Sequence, residues 1–177
     1  MGGAAEREPE EDREADPEAV ARAILLRQLT LGPRSKHQLA VKLRERNVPE
    51  EAAAAVLARF EDVGLINDAE FAVMWVRSRS AAKSLSKAAI RRELSGKGIT
   101  GSVAEAALAE LSDDDELKAA RRLVARRIRP VEDGDPAGRD KEVRRIVGML
   151  ARKGYPPGRA FRLAAEALGG MGVESDG

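Results

Sequence analysis

The sequence predicts an all-α protein: three tandem three-helix modules, packed as an extended, curved array behind a disordered acidic arm. Three observations predict it. Strand signals are almost absent from the 177-residue chain, with no sustained alternation of apolar and polar residues and no Asn-Gly or Asp-Gly hairpin. The composition is rich in alanine, leucine and arginine, which suit helices. One pattern also occurs three times: "QLAVKLRERNVPEEAAAAVL" from Gln38, "AIRRELSGKGITGSVAEAAL" from Ala89 and "RIVGMLARKGYPPGRAFRLA" from Arg145.

In that repeat Leu39, Ile90 and Ile146 correspond, as do Leu43, Leu94 and Leu150. The turn residues Asn47, Gly98 and Gly154 correspond too, each followed by an apolar residue: Val48, Ile99 or Tyr155. A helix that ends in a left-handed residue needs Gly or tolerates Asn, and the next apolar residue then folds back onto the helix. Five extra residues before the third turn fit the loop "RPVEDGDPAGR", 129–139.

Taken in order, residues 1–16 form the acidic arm, which has no large apolar groups to pack beyond Met1. Module one spans 17–63. Asp16-Pro17-Glu18 starts a helix to about 31, with a capping acid, a proline in the first turn and an acid at the positive end of the dipole. Ser35 and Gln38 form a capping box for a helix to about 46, and Ala52, Val56 and Phe60 mark a third over 50–62. Module two, 64–112, holds helices near 68–82, 86–97 and 102–111. Module three, 113–168, holds helices near 113–128, 139–153 and 157–168, and 169–177 reads as a flexible tail. A module of about 50 residues has a marginal core alone, so neighbours are expected to pack.

Composition bounds the function. The net charge of +1 hides an asymmetry: residues 1–18 hold eight acids against two bases, and 19–168 hold 29 bases against 20 acids. A basic body suits an anionic partner, nucleic acid or an acidic protein surface. With no cysteine, disulfides, thiolate metal sites and cysteine nucleophiles are excluded. No apolar run approaches the roughly 20 residues that span a bilayer, and the N-terminus lacks a secretory signal. The expectation is a cytoplasmic, monomeric protein that touches no membrane.

No chemistry-bearing cluster appears. His37 is the only histidine and has no co-ligand, so it reads as an exposed helix residue. "SDDDE", 112–116, reads as acids at a helix N-terminus rather than a metal loop. No phosphate-binding glycine loop and no serine triad are present. The expectation is no catalytic residue, no metal and no cofactor.

The basic stretches carry more. Arg77, Arg79, Lys83, Lys87, Arg91, Arg92 and Lys97 stand against one acid, Glu93, and Arg121, Arg122, Arg126, Arg127 and Arg129 follow in module three. Such runs track phosphates or an acidic groove, and a solvated helix face is the plainer alternative. Residues 35–66 look like the helical half of a winged helix. The recognition helix would be 50–62, which holds one base, Arg59, and no β-wing follows.

"GLINDAEFAVMWVRSR", 64–79, then "IRRELSGKGI" and "LARKGYPPGRAF", resemble the RecX family of regulatory proteins, over about residues 19–168. The family signature falls on Gly64, Leu65, Ile66, Asn67, Asp68, Phe71, Ala72, Trp75 and Arg77. "AKSLSKAAIRREL" departs from the Arg-Gly that often opens the following helix. The resemblance implies three three-helix repeats and a non-enzyme that binds the RecA filament. Such proteins suppress ATP hydrolysis, strand exchange and filament growth, and so bear on recombination, DNA repair and the SOS response; some also touch DNA. Arg77, Arg79, Lys83, Lys87, Arg91, Arg92, Arg122 and Arg126 are the expected partner contacts. Gly64, Asp68, Phe71, Trp75, Gly98 and Gly154 are the expected structural signature. Within the opening run, Phe71 and Trp75 are expected to bury against modules one and two, Leu65 and Ile66 to fill the joint between those modules, and Arg77 and Arg79 to face outward. The competing reading is a helix-turn-helix regulator that acts on duplex DNA without RecA.

Overall fold

The computed structural model describes residues 16–171, so the acidic arm and the last six residues lie outside the described part. All regular structure among the described residues is helical: α1 (Pro17–Thr30), α2 (Lys36–Glu45), α3 (Glu50–Asp62), α4 (Asp68–Lys83), α5 (Lys87–Ser95), α6 (Gly101–Ala109), α7 (Asp113–Ala125), α8 (Pro136–Arg152) and α9 (Pro157–Met171). The chain divides into two compact units with the boundary after Asn67.

The helix starts follow capping chemistry. The Asp16 carboxylate accepts the Glu18 N–H with Pro17 at the first helical position. Ser35 and Gln38 make the reciprocal capping box. Ser86 accepts the Ala89 N–H and Ser112 the Asp115 N–H, so each serine answers an otherwise orphaned donor. α8 starts three residues earlier than the sequence suggests. The segment read as loop contains its own start signal: Asp135 accepts the Gly138 N–H, and Pro136 fits the first helical position. α9 runs to Met171, past the expected end at 168.

The shared turn has one geometry. Asn47, Gly98 and Gly154 all adopt positive φ, at 55°, 75° and 89°. The N–H of the residue after each turn residue then reaches back: Val48 to Leu43, Ile99 to Leu94 and Tyr155 to Leu150, at 3.1, 3.0 and 3.1 Å. The turn residues' own N–H groups bond Arg44, Ser95 and Ala151, completing the pair of bonds that closes a helix on a left-handed residue. Gly64 closes α3 in the same way, with Leu65 bonded to Phe60.

Three cores sit inside three helix triplets. Ala21, Leu25, Leu39, Leu43, Val56 and Phe60 pack between α1, α2 and α3. Ile66 is buried in this core, while Leu65 is 50% exposed. Phe71, Val76, Ile90, Leu94, Ile99 and Leu108 pack between α4, α5 and α6. Leu123, Val124, Ile146, Leu150, Tyr155 and Leu163 pack between α7, α8 and α9. The repeat-related pairs Leu39/Leu43, Ile90/Leu94 and Ile146/Leu150 are all fully buried.

The second and third triplets form one unit, and the turn at Gly154 is part of what joins them. A Cβ there would come within 2.5 Å of Ser86 Oγ and 2.7 Å of the Ala89 Cβ. Gly134 also has positive φ, but no described atom lies within 4 Å of a Cβ built there. Both Gly→Ala changes therefore meet backbone strain of about 1–2 kcal/mol, and only Gly154→Ala adds overlap costing a further ~1–3 kcal/mol. Denaturant melts of the two variants are expected to show the larger loss at Gly154.

Candidate functional site

Trp75 organises the expected contact region. It stands one turn after Phe71, with ring centroids 5.6 Å apart, and both pack on the second core. Phe71 is buried and Trp75 half-buried. The indole N–H donates to Glu93 at 2.8 Å. The Arg79 guanidinium lies 3.9 Å from the indole centroid and the Lys97 ammonium 4.1 Å from it. Arg79 Nε also lies 2.8 Å from the same Glu93 oxygen, with a side chain only 23% exposed. Arg79 therefore does not face outward as the sequence suggested: at four residues from Trp75 it covers the ring and serves the fold.

The other expected bases divide by what they already hold. Arg77 pairs with Glu110 at 3.1 Å, Lys87 with Asp113 at 2.6 Å and Arg91 with Glu105 at 2.7 Å. These bonds hold the Asp113 and Glu105 carboxyls below their ordinary range, hydrogen bonding from Lys87 and Arg91 being the main cause. Exposed pairs of this kind contribute little net stability, so Arg77 and Arg91 are open to exchange for a partner's carboxylate or phosphate. Lys83, Arg92, Arg122 and Arg126 are exposed and meet no acid among the described residues. His37 is exposed, and no group of three or more His, Asp or Glu side chains among the described residues could hold a metal.

Glu116 is the residue that sequence reasoning missed. It belongs to the "SDDDE" run, yet only 5% of it is exposed. One oxygen accepts the Lys87 N–H at 2.7 Å, at the first turn of α5, and the other accepts Arg159 of α9 at 2.7 Å. Burying a carboxylate is costly unless such donors answer it, and a helix N-terminus adds favourable potential. The Tyr155 hydroxyl donates to the Ser84 carbonyl at 3.1 Å, and the Ser86 N–H donates to the Lys153 carbonyl at 3.0 Å. Ser84 stands at φ 51°, so the residue that ends α4 is left-handed without being glycine. Together these bonds clamp the α4–α5 turn to the third triplet. They also bring the end of α4, with Lys83, beside the end of α8, with Arg152 and Lys153.

A second missed acid, Glu142, accepts the Arg129 N–H at 2.8 Å and Arg145 Nε at 2.8 Å, while Arg145 also donates to the Arg127 carbonyl. Hydrogen bonding from Arg145 holds its carboxyl low against the effect of burial. It fastens the α7–α8 loop. Both missed acids share one signal. Glu116 precedes Ala120 and Val124 by four and eight residues, and Glu142 so precedes Ile146 and Leu150, so each is a carboxylate on an apolar stripe. An open cleft of about 440 Å³ between α7 and α9 is lined by Leu117, Arg121, Arg159, Arg162, Leu163 and Glu166 among others. Arg121 pairs with Glu166, and Arg159 with Glu116, so most of its charge is already matched.

The sequence model described as "RecX, first three-helix domain" matches residues 21–60, and "RecX, second three-helix domain" matches 67–108. "Regulatory protein RecX" of Streptomyces coelicolor is 48% identical over 161 residues, 91% of this chain and 84% of that protein. The chain belongs to the RecX family of regulatory proteins. Its namesake from Thermobifida fusca is 46% identical over 158 residues, covering 89% of this chain and 84% of that protein. The crystal structure of RecX from Lactobacillus salivarius shares the fold, with a TM-score of 0.72 over 86% of this chain and 97% of that chain, at 24% identity. Of the positions expected to be structural, Gly64 closes α3, Asp68 opens α4, Phe71 and Trp75 pack on the second core, and Gly98 and Gly154 stand in the repeated turn. No helix among the described residues is long and apolar enough to cross a membrane.

Tyr155 provides a probe of the clamp. Burial, with Glu116 nearby, pushes its hydroxyl up to about 12, Arg159 opposing. The folded form thus holds its proton more tightly than the unfolded chain, whose tyrosine titrates near 10. The associated stability is complete below about pH 10 and is lost as pH rises through about 12. It is the chain's only tyrosine, so absorbance at 295 nm reports it alone. A titration midpoint near 12 is expected for the native protein, and one near 10 would show the hydroxyl to be free.

Proposed function

We propose that this protein binds the RecA recombinase filament and restrains its ATPase, strand exchange and growth, thereby regulating recombination, DNA repair and the SOS response. Membership of the RecX family, by 48% identity over 91% of the chain, carries the reading. The protein acts by stoichiometric binding rather than by turnover, as a monomer in the cytoplasm, without a cofactor. Lys83, Arg92, Arg122 and Arg126 make the first contacts with acidic RecA surface or with the DNA the filament holds. Arg77, Lys87 and Arg91 join by exchanging internal partners. In this reading each of the modules 17–63, 64–112 and 113–168 is a separate repeat, and their bases act together along one filament.

The alternative, a duplex-DNA regulator of helix-turn-helix type, is weakened by α3. Its only base, Arg59, pairs with Glu18 at 3.4 Å, and Ala52, Val56, Leu57 and Phe60 are buried. A major-groove reader needs Arg, Lys, Asn or Gln aimed at base edges.

Titration into strand-exchange and ATPase assays with the cognate RecA tests the proposal. Suppression at stoichiometric ratios is expected, and no effect would defeat it. Charge reversal of Lys83 and Arg92 together should weaken filament binding about tenfold or more, roughly 1.4 kcal/mol, with helicity unchanged. Substitution of Arg91 alone by a neutral residue should cost less, because Arg91 must give up Glu105 before it can meet a partner.

A further inference from the structure

α8 carries a glycine where a helix gains nothing from one. Gly148 lies mid-helix on the partly exposed side, and glycine there costs a helix about 1 kcal/mol relative to alanine. No internal packing demands it. A Cβ at Gly148 would meet only the Arg152 guanidinium, at an ordinary 3.6 Å. Arg144 and Arg152 stand one turn before and one turn after it, both exposed, and neither pairs with an acid among the described residues. Arg144 Nε is instead held by the Asp140 carbonyl at 3.3 Å. Lys141 and Ala151 are exposed on the same side of the helix. The two arginines are separated by eight residues, about 12 Å of helix.

From this we infer that the Arg144–Gly148–Arg152 face of α8 docks an acidic helix of a protein partner. The missing side chain lets a crossing helix approach α8 closely at Gly148, and carboxylates one to two turns apart on that helix meet the two guanidinium groups. A phosphodiester strand is the poorer fit, because long arginines reach phosphates without a gap in the helix surface between them. Electrostatic complementarity selects the acidic helix, and the bare backbone fixes where it crosses. The same face ends beside Lys83, through the Tyr155–Ser84 and Ser86–Lys153 bonds, so it extends the proposed contact region across the clamp.

This inference rests on the RecA reading, and one series of measurements separates the two. Wild-type protein, Gly148→Ala and the double variant Arg144→Glu/Arg152→Glu are titrated against the cognate RecA filament, and separately against single-stranded and duplex oligonucleotides. Gly148→Ala should raise the melting temperature, because alanine favours the helix, and yet bind the filament about tenfold more weakly. A purely structural glycine cannot give that combination. The double variant should also lose filament affinity. Gly148→Ala that binds the filament like wild type overturns the inference and leaves the RecA reading standing. Loss of oligonucleotide binding in the double variant, with filament binding unchanged, overturns it in favour of a nucleic-acid surface. Wild-type protein that does not bind the filament defeats the RecA reading and this inference with it.

Discussion

The buried carboxylate of Glu116 is the constraint on which the second unit depends. It belongs to α7, but its two oxygens serve α5 and α9. The second and third cores are separate apolar clusters, each closed within its own triplet. What ties them includes a set of directional polar bonds around small residues: Glu116 to Lys87 and Arg159, Tyr155 to Ser84, Lys153 to Ser86, with Gly154 set against Ser86 and Ala89. Such a joint is specific in geometry, because each bond fixes a direction as well as a distance. Removing the carboxylate would strand a guanidinium and a helix N-terminal N–H, at a cost of about 3 kcal/mol, while leaving both cores intact.

The clamp also decides where the basic residues stand. Ion pairs within the second triplet occupy Arg77 and Arg91, and the indole of Trp75 occupies Arg79. Within the second unit, the charge that is left exposed lies on Lys83 and Arg92 and on the third triplet. Sequence counts of bases therefore overstate the available charge, and the fold chooses which of them a partner meets.

Much of the fold was legible because it rests on local rules. Capping residues Asp16, Ser35 and Ser112, and the left-handed positions Asn47, Gly98 and Gly154, act within a few residues of themselves and announce helix ends directly. Asp135-Pro136 was equally local and was hidden by the glycines and proline around it. The candidate site was less legible. Arg79 four residues after Trp75 is a helical neighbour pair, so its inward role was readable, but the run of bases around it suggested a surface. Glu116 stood on an apolar stripe, and that much was visible. Its partners Lys87 and Arg159 lie 29 and 43 residues away, and only the packing of three helices brings them together.

The Glu116 clamp, not a shared core, sets the second triplet against the third. Dyes placed at Arg92 and Arg144 would measure it by single-molecule energy transfer in the wild-type chain and in Glu116→Ala. One narrow distance is predicted for the wild type and a broadened distribution for the variant, with helical content unchanged in both. A narrow and identical distance in the two proteins would contradict the account.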